Sequence, residues 1–177
     1  HEYAERLLDN GFYPIPIVEK QKRPAVIGWN KFDKIDNDQY KKLIRDHTQH
    51  GIGILLGKVC VIDVDIMNKD LSFEIIKLIK DIVGQAPMRI GKSPKAALFF
   101  RVVGETFSKS STESYINGDE KNQVEFLATG TQIVISGIHP NTGKNYLWVD
   151  DNIMDMNIKD LPPIDIKQVD YLKVVIE

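Results

Sequence analysis

Cysteine is almost absent. Cys60 is the single thiol in 177 residues, which excludes an internal disulfide and a cysteine-based zinc site. It lies within an apolar run, where it reads as inert core. No apolar stretch approaches the length of a bilayer span and no signal peptide is visible, so a cytoplasmic location without membrane contact is expected. Neither sign of charge dominates. Lys and Arg total 23 against 25 Asp and Glu, so no global basic field announces a nucleic-acid binder and any cationic surface must be local. Internal repeats, low-complexity tracts, a P-loop, an HExxH helix and a Ser/His/Asp order suited to acyl transfer are also missing. So is a starting Met. With His1 in its place, the chain is expected to be trimmed, or the N-terminal part of a longer protein.

What is present is ordinary for a folded domain. Hydrophobic residues make up 42% and charged residues 27%, and the length suffices for one core, so residues 1–177 are expected to form one domain. Residues 2–10 read as a short helix stopped by Gly11, and residues 12–17 as extended, held so by Pro14 and Pro16. Asp36 or Asn37 caps a helix to about Asp46 that buries Tyr40, Leu43 and Ile44. Trp29 is either core or a lid over a pocket. Residues 51–57 form a glycine-flanked strand without either phosphate-binding glycine fingerprint.

Residues 70–83 place Leu71, Ile75, Leu78, Ile79 and Ile82 on one helical face, ended by Gly84. Strands follow at 87–90 and 96–103. Residues 104–122 are polar and read as a loop or mobile insertion, poorly ordered. Residues 123–127 and 131–136 read as a hairpin about Ala128-Thr129-Gly130, then come a turn at 137–143 and a strand at 145–149. A break at Leu161-Pro162-Pro163 precedes a helix over about 166–176. The class is α/β (α+β), a βαβ unit followed by mainly antiparallel strands.

The chemistry concentrates on Val59-Cys60-Val61-Ile62-Asp63-Val64-Asp65-Ile66. On a strand, Asp63 and Asp65 share a face about 7 Å apart. Two neighbouring carboxylates repel and raise each other's pKa, and a hard divalent cation, Mg²⁺ or Mn²⁺, makes such a pair tolerable. The plainer alternative puts both at the strand's exposed mouth, capping the next helix. Glu125, between Val124 and Phe126, is either a third ligand or a solvent-facing strand residue. Basic residues cluster locally at Arg89, Lys92, Lys95, Arg101 and Lys109, with Glu105 the one acid among them. On a Gly/Pro loop such cations suit phosphate oxygens, or they form a solvated basic loop. Ser136-Gly137-Ile138-His139-Pro140-Asn141-Thr142-Gly143 carries a His that either donates to a phosphate or sits in a surface turn without a role.

In combination, these pieces resemble the primase-polymerase family of the archaeo-eukaryotic primase superfamily, phage or mobile-element type, along almost the whole chain. Gly11-Phe12-Tyr13-Pro14-Ile15-Pro16 with Lys22-Arg23-Pro24 and Gly28-Trp29 resembles its N-terminal signature. Gly51-Ile52-Gly53 with Ile62-Asp63-Val64-Asp65 resembles the glycine strand and first catalytic motif. Residues Arg89-Ile90-Gly91-Lys92-Ser93-Pro94-Lys95 are similar to the basic second motif. Val124-Glu125-Phe126 and Gly137-Ile138-His139-Pro140 resemble the third acidic motif and its turn. One departure is plain: many members carry a His in the second motif, and Ala96-Ala97-Leu98-Phe99-Phe100 has none, so that role falls to Lys92, Lys95 or His139, or is lost.

The resemblance implies an N-terminal α/β unit packed on an RRM-like mixed sheet. It also implies two-metal, template-directed nucleotidyl transfer, as DNA primase or DNA polymerase, in replication of a phage, plasmid or mobile element. Asp63, Asp65 and Glu125 would hold Mg²⁺ or Mn²⁺. Arg89, Lys92, Lys95, Gln132, Ser136 and His139 would contact the nucleotide. The implied partners are a single-stranded DNA template and primer, NTPs or dNTPs, and a helicase domain or subunit. Two rivals use the same residues. One is a metal-dependent nuclease; the other is a non-catalytic single-stranded DNA-binding module of a replication initiator, with Phe99, Phe100 and Phe107 as stacking aromatics.

Overall fold

The computed structural model describes residues 2–47, 51–117 and 120–176. In chain order the elements are α1 (Glu2–Asp9), β1 (Pro14–Ile17), α2 (Asn37–Asp46), β2 (Gly51–Leu55), β3 (Val59–Asp65), α3 (Lys69–Ile82), β4 (Met88–Ile90) and β5 (Ala96–Val102). Then follow β6 (Ser110–Ser111), β7 (Tyr115–Asn117), β8 (Glu120–Leu127), β9 (Gln132–Ser136), β10 (Leu147–Val149), β11 (Pro163–Ile164) and α4 (Ile166–Ile176). The helices and most strands fall where periodicity puts them. Among the described residues no helix is long and apolar enough to cross a membrane.

β3 is the centre of an eight-stranded sheet ordered β10-β4-β5-β3-β8-β6, with β11 joining β5 and β7 joining β8. β3 is antiparallel to both its neighbours, β5 and β8, and β4 is antiparallel to β5. β3 and β4 are therefore parallel with β5 between them, so β3-α3-β4 is a split βαβ unit. The fold is the expected α+β class with a large antiparallel sheet.

Alternation along β3 sorts its side chains between two cores. Cys60, Ile62, Val64 and Ile66 pack with Ile75 and Ile79 of α3 and with Val169 and Leu172 of α4. Burial in that core pushes the Cys60 thiol up to about 12, so it stays protonated. Val59 and Val61 pack on the other face with Leu7, Phe12, Ile54, Leu56, Ile133 and Ile135. That cover is a second sheet ordered β1-β2-β9. Each fully buried Val, Leu, Ile or Phe of these clusters contributes roughly 1.5–3 kcal/mol.

Five expectations need correction. Residues 123–127 and 131–136 do not form a hairpin: β8 pairs with β3 while β9 pairs with β2 in the other sheet. The turn at Gly130, in left-handed backbone at φ 85°, carries the chain between sheets. Each strand finds its partner elsewhere, β8 against the central strand β3 and β9 against β2. The N-terminal unit is accordingly not contiguous, since β9 completes it from far downstream.

The polar stretch 104–122 is not a plain loop. β6 and β7 line the edge of β8, and Thr112 is buried with its Oγ1 accepting from the Val124 amide at 3.0 Å. Hydroxyl side chains serve this strand edge as backbone surrogates. Gly118 and Asp119 of that stretch lie outside the described residues.

The next helix is capped by Asn68, whose side chain accepts from the Leu71 amide at 3.0 Å, and not by Asp63 or Asp65. On α3, Ile76 takes the core position expected for Leu78. Trp29 is half-buried against the Tyr40–Phe32 cluster, on the core side of its two readings. Phe99, Phe100 and Phe107 are all buried, so none offers a stacking platform to a single strand.

Candidate active site

The register of the large sheet puts one residue of each of six strands in a row. Trp148 faces Arg89, Arg89 faces Ala97, Ala97 faces Asp63, Asp63 faces Glu125, and Glu125 faces Ser111. Directly paired residues point to the same face with Cβ atoms about 4.5–5.5 Å apart. All six therefore lie on the face covered further along by β1-β2-β9, where that cover gives way and the strand becomes polar. The small side chain of Ala97 leaves the lane between Arg89 and Asp63 open. Asp65 lies two residues beyond Asp63, opposite Gln123.

Two residues of the row also tie the sheets together. The Arg89 guanidinium donates to the Val134 carbonyl and Trp148 Nε1 to the Ile135 carbonyl at 3.1 Å, both on β9. Arg89 also stacks over the Tyr146 ring, 4.5 Å from its centroid. Tyr146 in turn meets the His139 ring edge-on at 5.4 Å. Gly91 completes this packing, because a Cβ there would stand 2.7 Å from His139 Cδ2 and 2.8 Å from Tyr146 Cε1. The pieces after β4 and β9 can close on each other only over a glycine.

A polar cleft of about 140 Å³ opens over this floor. It is lined by the acids Asp63 and Asp65, by Lys22, Arg89, Lys92, Lys95 and His139, and by Gly91, Ala96 and Asn141. His139 is 4% exposed, so the surface-turn reading of this residue is wrong. Its Nδ1 accepts from the Asn141 amide at 3.1 Å, which leaves Nε2 as the protonated, donating nitrogen of a neutral ring. Burial, then the charges of Lys22, Arg89, Lys92 and Lys95, hold its pKa below the ordinary histidine value. Burial also draws the Arg89 guanidinium down, opposed by Asp63 and Tyr146, yet arginine stays charged.

Asp63 carries the largest carboxylate perturbation. Burial pushes it up to about 6 from 3.8, Asp65 and Glu125 add to the rise, and Arg89 and Lys22 oppose it. Lysines meet the other two: Lys95 Nζ is 2.7 Å from Asp65 Oδ1 and 3.9 Å from Glu120 Oε2, and Lys109 Nζ is 2.7 Å from Glu125 Oε2. Among the described residues no three His, Cys, Asp or Glu side chains converge as a ready ligand set. The donor set itself suits a hard divalent cation: three carboxylates on adjacent positions of one sheet face, with Asp63 carrying a desolvation cost that a cation would offset.

Of the nine residues singled out by sequence, Asp63, Asp65, Arg89, Lys92, Lys95 and His139 line this cleft, and Glu125 flanks it beside Asp63. Gln132 stands apart, its amide donating to the Lys22 carbonyl at 3.0 Å. Ser136 borders a different, more apolar cavity of about 330 Å³ beside Ile17, Ile44 and Ile138. Sequence reading missed Lys22 and Asn141 in the cleft and Tyr146 packed against its Arg89 and His139. Lys22 had a signal, being one of the basic cluster Lys20, Lys22 and Arg23. Tyr146 had none, since only the pairing of β10 with β4 brings it beside Arg89. By sequence, residues 4–164 match the family described as Prim-Pol, bifunctional DNA primase/polymerase, N-terminal. No curated protein matches the chain.

Proposed function

The chain belongs to the bifunctional DNA primase/polymerase N-terminal family, and from that premise we propose that this cleft carries out template-directed nucleotidyl transfer. Family membership points to DNA primase/polymerase activity in general, with DNA and nucleotides as substrates. The observation that carries the finer reading is the cleft itself, which gathers two carboxylates, four cations and a neutral histidine around one space. A polyanion bearing a reactive phosphorus needs both: donors for its oxygens and acids at the centre of reaction.

The cations of the cleft bind the triphosphate. Arg89 is held rigidly by the Val134 carbonyl and the Tyr146 ring, so it presents a preset donor fork, whereas Lys22 and Lys92 contribute as mobile charges. His139 donates through Nε2 without bringing another charge. It and the lysines take the place of the histidine that the second motif lacks. Lys95, paired with Asp65 before substrate arrives, passes to a phosphate oxygen and releases that carboxylate.

Asp63, Asp65 and Glu125 are the residues that would hold Mg²⁺ or Mn²⁺. Bound there, divalent cations supply Lewis-acid activation of the attacking hydroxyl and charge neutralisation on the phosphates. The buried Asp63, its proton held more tightly than usual, is the acid with most to gain from a cation. We place the reaction in replication of a phage, plasmid or mobile element, on the likeness of the motif set.

The test is incubation with primed and unprimed templates, labelled NTPs or dNTPs, and Mg²⁺ or Mn²⁺. Extension of the primed template is expected from the wild type and not from Asp63→Ala, whose fold is checked by circular dichroism. Products on the unprimed template would establish priming. Undiminished extension by Asp63→Ala would refute the assignment, and strand cleavage without nucleotides would favour a nuclease.

A further inference from the structure

The strand order sets two lysines on opposite flanks of Asp63. Lys95 enters from the β4–β5 side, in company with Lys92 and Arg89. Lys109 enters from the other side, immediately before β6. There Ser111 stands opposite Glu125, and two-residue alternation along an extended chain brings Lys109 to the same face. Its Nζ lies 2.7 Å from Glu125 Oε2, with the lysine side chain 51% exposed and the glutamate 15%. Lys109 takes no part in lining the cleft that holds the other cations.

Nucleotidyl transfer joins two phosphate-bearing partners at one centre. If the β4–β5 flank receives the triphosphate, the strand being extended must approach across β8 and β6. We propose that Lys109 is a second phosphate-binding position, for a backbone phosphate of the primer–template, and that Glu125 holds it in reserve until the carboxylates take up a divalent cation. The inference rests on the reading of Asp63, Asp65 and Glu125 given above.

Three observations carry it. Lys109 is a cation on the β8–β6 side of Asp63, away from Arg89 and Lys92, and is the one whose ammonium meets Glu125. It is exposed beyond its ion pair, so it reaches a bound strand without rearrangement of the sheet. Its partner is one of the acids assigned to the cation. An ammonium paired at 2.7 Å with a carboxylate has little charge to offer a phosphate. Glu125 turned to a cation frees it. Divalent cations therefore strengthen binding of DNA, and DNA strengthens binding of the cation by the same factor.

The experiment is fluorescence anisotropy with a short labelled primer–template, without nucleotide, in EDTA and in Mg²⁺, over a range of salt. The wild type is expected to bind several-fold tighter in Mg²⁺ than in EDTA. Glu125→Gln should show the tighter affinity already in EDTA, its lysine being free. Lys109→Met should lose most of the Mg²⁺ gain, and the slope of log affinity against log salt should fall by about one contact. The double variant should behave as Lys109→Met, which separates release of the lysine from simple removal of a negative charge.

Lys109→Met with the wild-type Mg²⁺ gain and salt slope would overturn the proposal, as would Glu125→Gln no tighter than wild type in EDTA. If Glu125→Gln fails to fold, Lys109→Met carries the test alone, since that side chain is half exposed. Mn²⁺ uptake followed by electron paramagnetic resonance distinguishes the two possible failures. A wild type that takes up no Mn²⁺ overturns the carboxylate assignment and this proposal with it. Normal uptake with no effect of Lys109 on DNA overturns the proposal alone.

Discussion

Replacing Asp63 by Asn should stabilise the protein above neutral pH when no divalent cation is present. The reasoning starts from the rise of the Asp63 pKa from 3.8 to about 6, caused first by burial. Below about pH 4 the group is neutral in both folded and unfolded chains. Between there and about 6 the folded protein binds more of this proton than the unfolded chain, so the group's contribution to stability falls as pH rises. Above about 6 the full penalty is in force, at most roughly 3 kcal/mol for a shift of about two units.

Asn cannot ionise and keeps the shape; the rise to about 6 already includes the opposing pull of Arg89, and solvent reaching the part-exposed carboxylate reduces the penalty realised. A net gain of about 1–2 kcal/mol is therefore expected, or about 3–6 °C in Tm for a chain of this length. The assay is thermal unfolding of wild type and Asp63→Asn in EDTA, from about pH 4 to pH 8, followed by circular dichroism. The difference should vanish at the acid end and grow through about pH 6. Adding Mg²⁺ or Mn²⁺ should then raise the wild-type Tm and leave Asp63→Asn little changed, because a ligand bound only to the folded state stabilises by mass action. A variant less stable than wild type at high pH in EDTA, or a difference independent of pH, would refute the argument.

Two further outcomes follow from the packing beneath the cleft. Tyr146→Leu removes the ring that carries the Arg89 guanidinium and abuts His139; cation–π contacts of this kind contribute about 0.5–2 kcal/mol. It should raise the nucleotide KM several-fold with a smaller change in kcat, and Tyr146→Phe should restore the KM, since the buried hydroxyl has no hydrogen-bond partner. Gly91→Ala places a methyl 2.7 Å from His139 Cδ2 and 2.8 Å from Tyr146 Cε1. Overpacking of this sort costs about 1–3 kcal/mol, so denaturant unfolding should show a lowered midpoint together with weakened nucleotide binding.

Much of the fold was legible because its signals are local. The helical faces of α2 and α3 and the apolar run of β3 follow from residue periodicity, and a carboxylate pair at spacing two can only share a strand face. The acids and the basic loop were legible for the same reason, as residue types whose presence in an apolar or glycine-rich setting asks for a partner. Pairing was not. The turn at Ala128-Thr129-Gly130 reads as a hairpin because its length and composition suit one. Whether its two strands pair depends on what β2 and β3 offer, and β3 takes β8 while β2 takes β9. Likewise the Ser/Thr-rich stretch before β8 reads as loop, because hydroxyl residues suit loops and strand edges alike.

The sequence by itself therefore determined the fold class and the family, and it put Asp63 and Asp65 on one face of one strand. Only the tertiary structure decided that Asp63 and Glu125 face each other, that Arg89 and Ala97 extend the row, and that Lys22, Tyr146 and Lys109 belong to its surroundings. Register is a property of two strands at once, and the depth at which a charge is buried is a property of everything packed above it. Neither is written in the stretch Val59-Cys60-Val61-Ile62-Asp63-Val64-Asp65. Those residues state which groups share a face; the sheets above and beside them set the charge each group can bear.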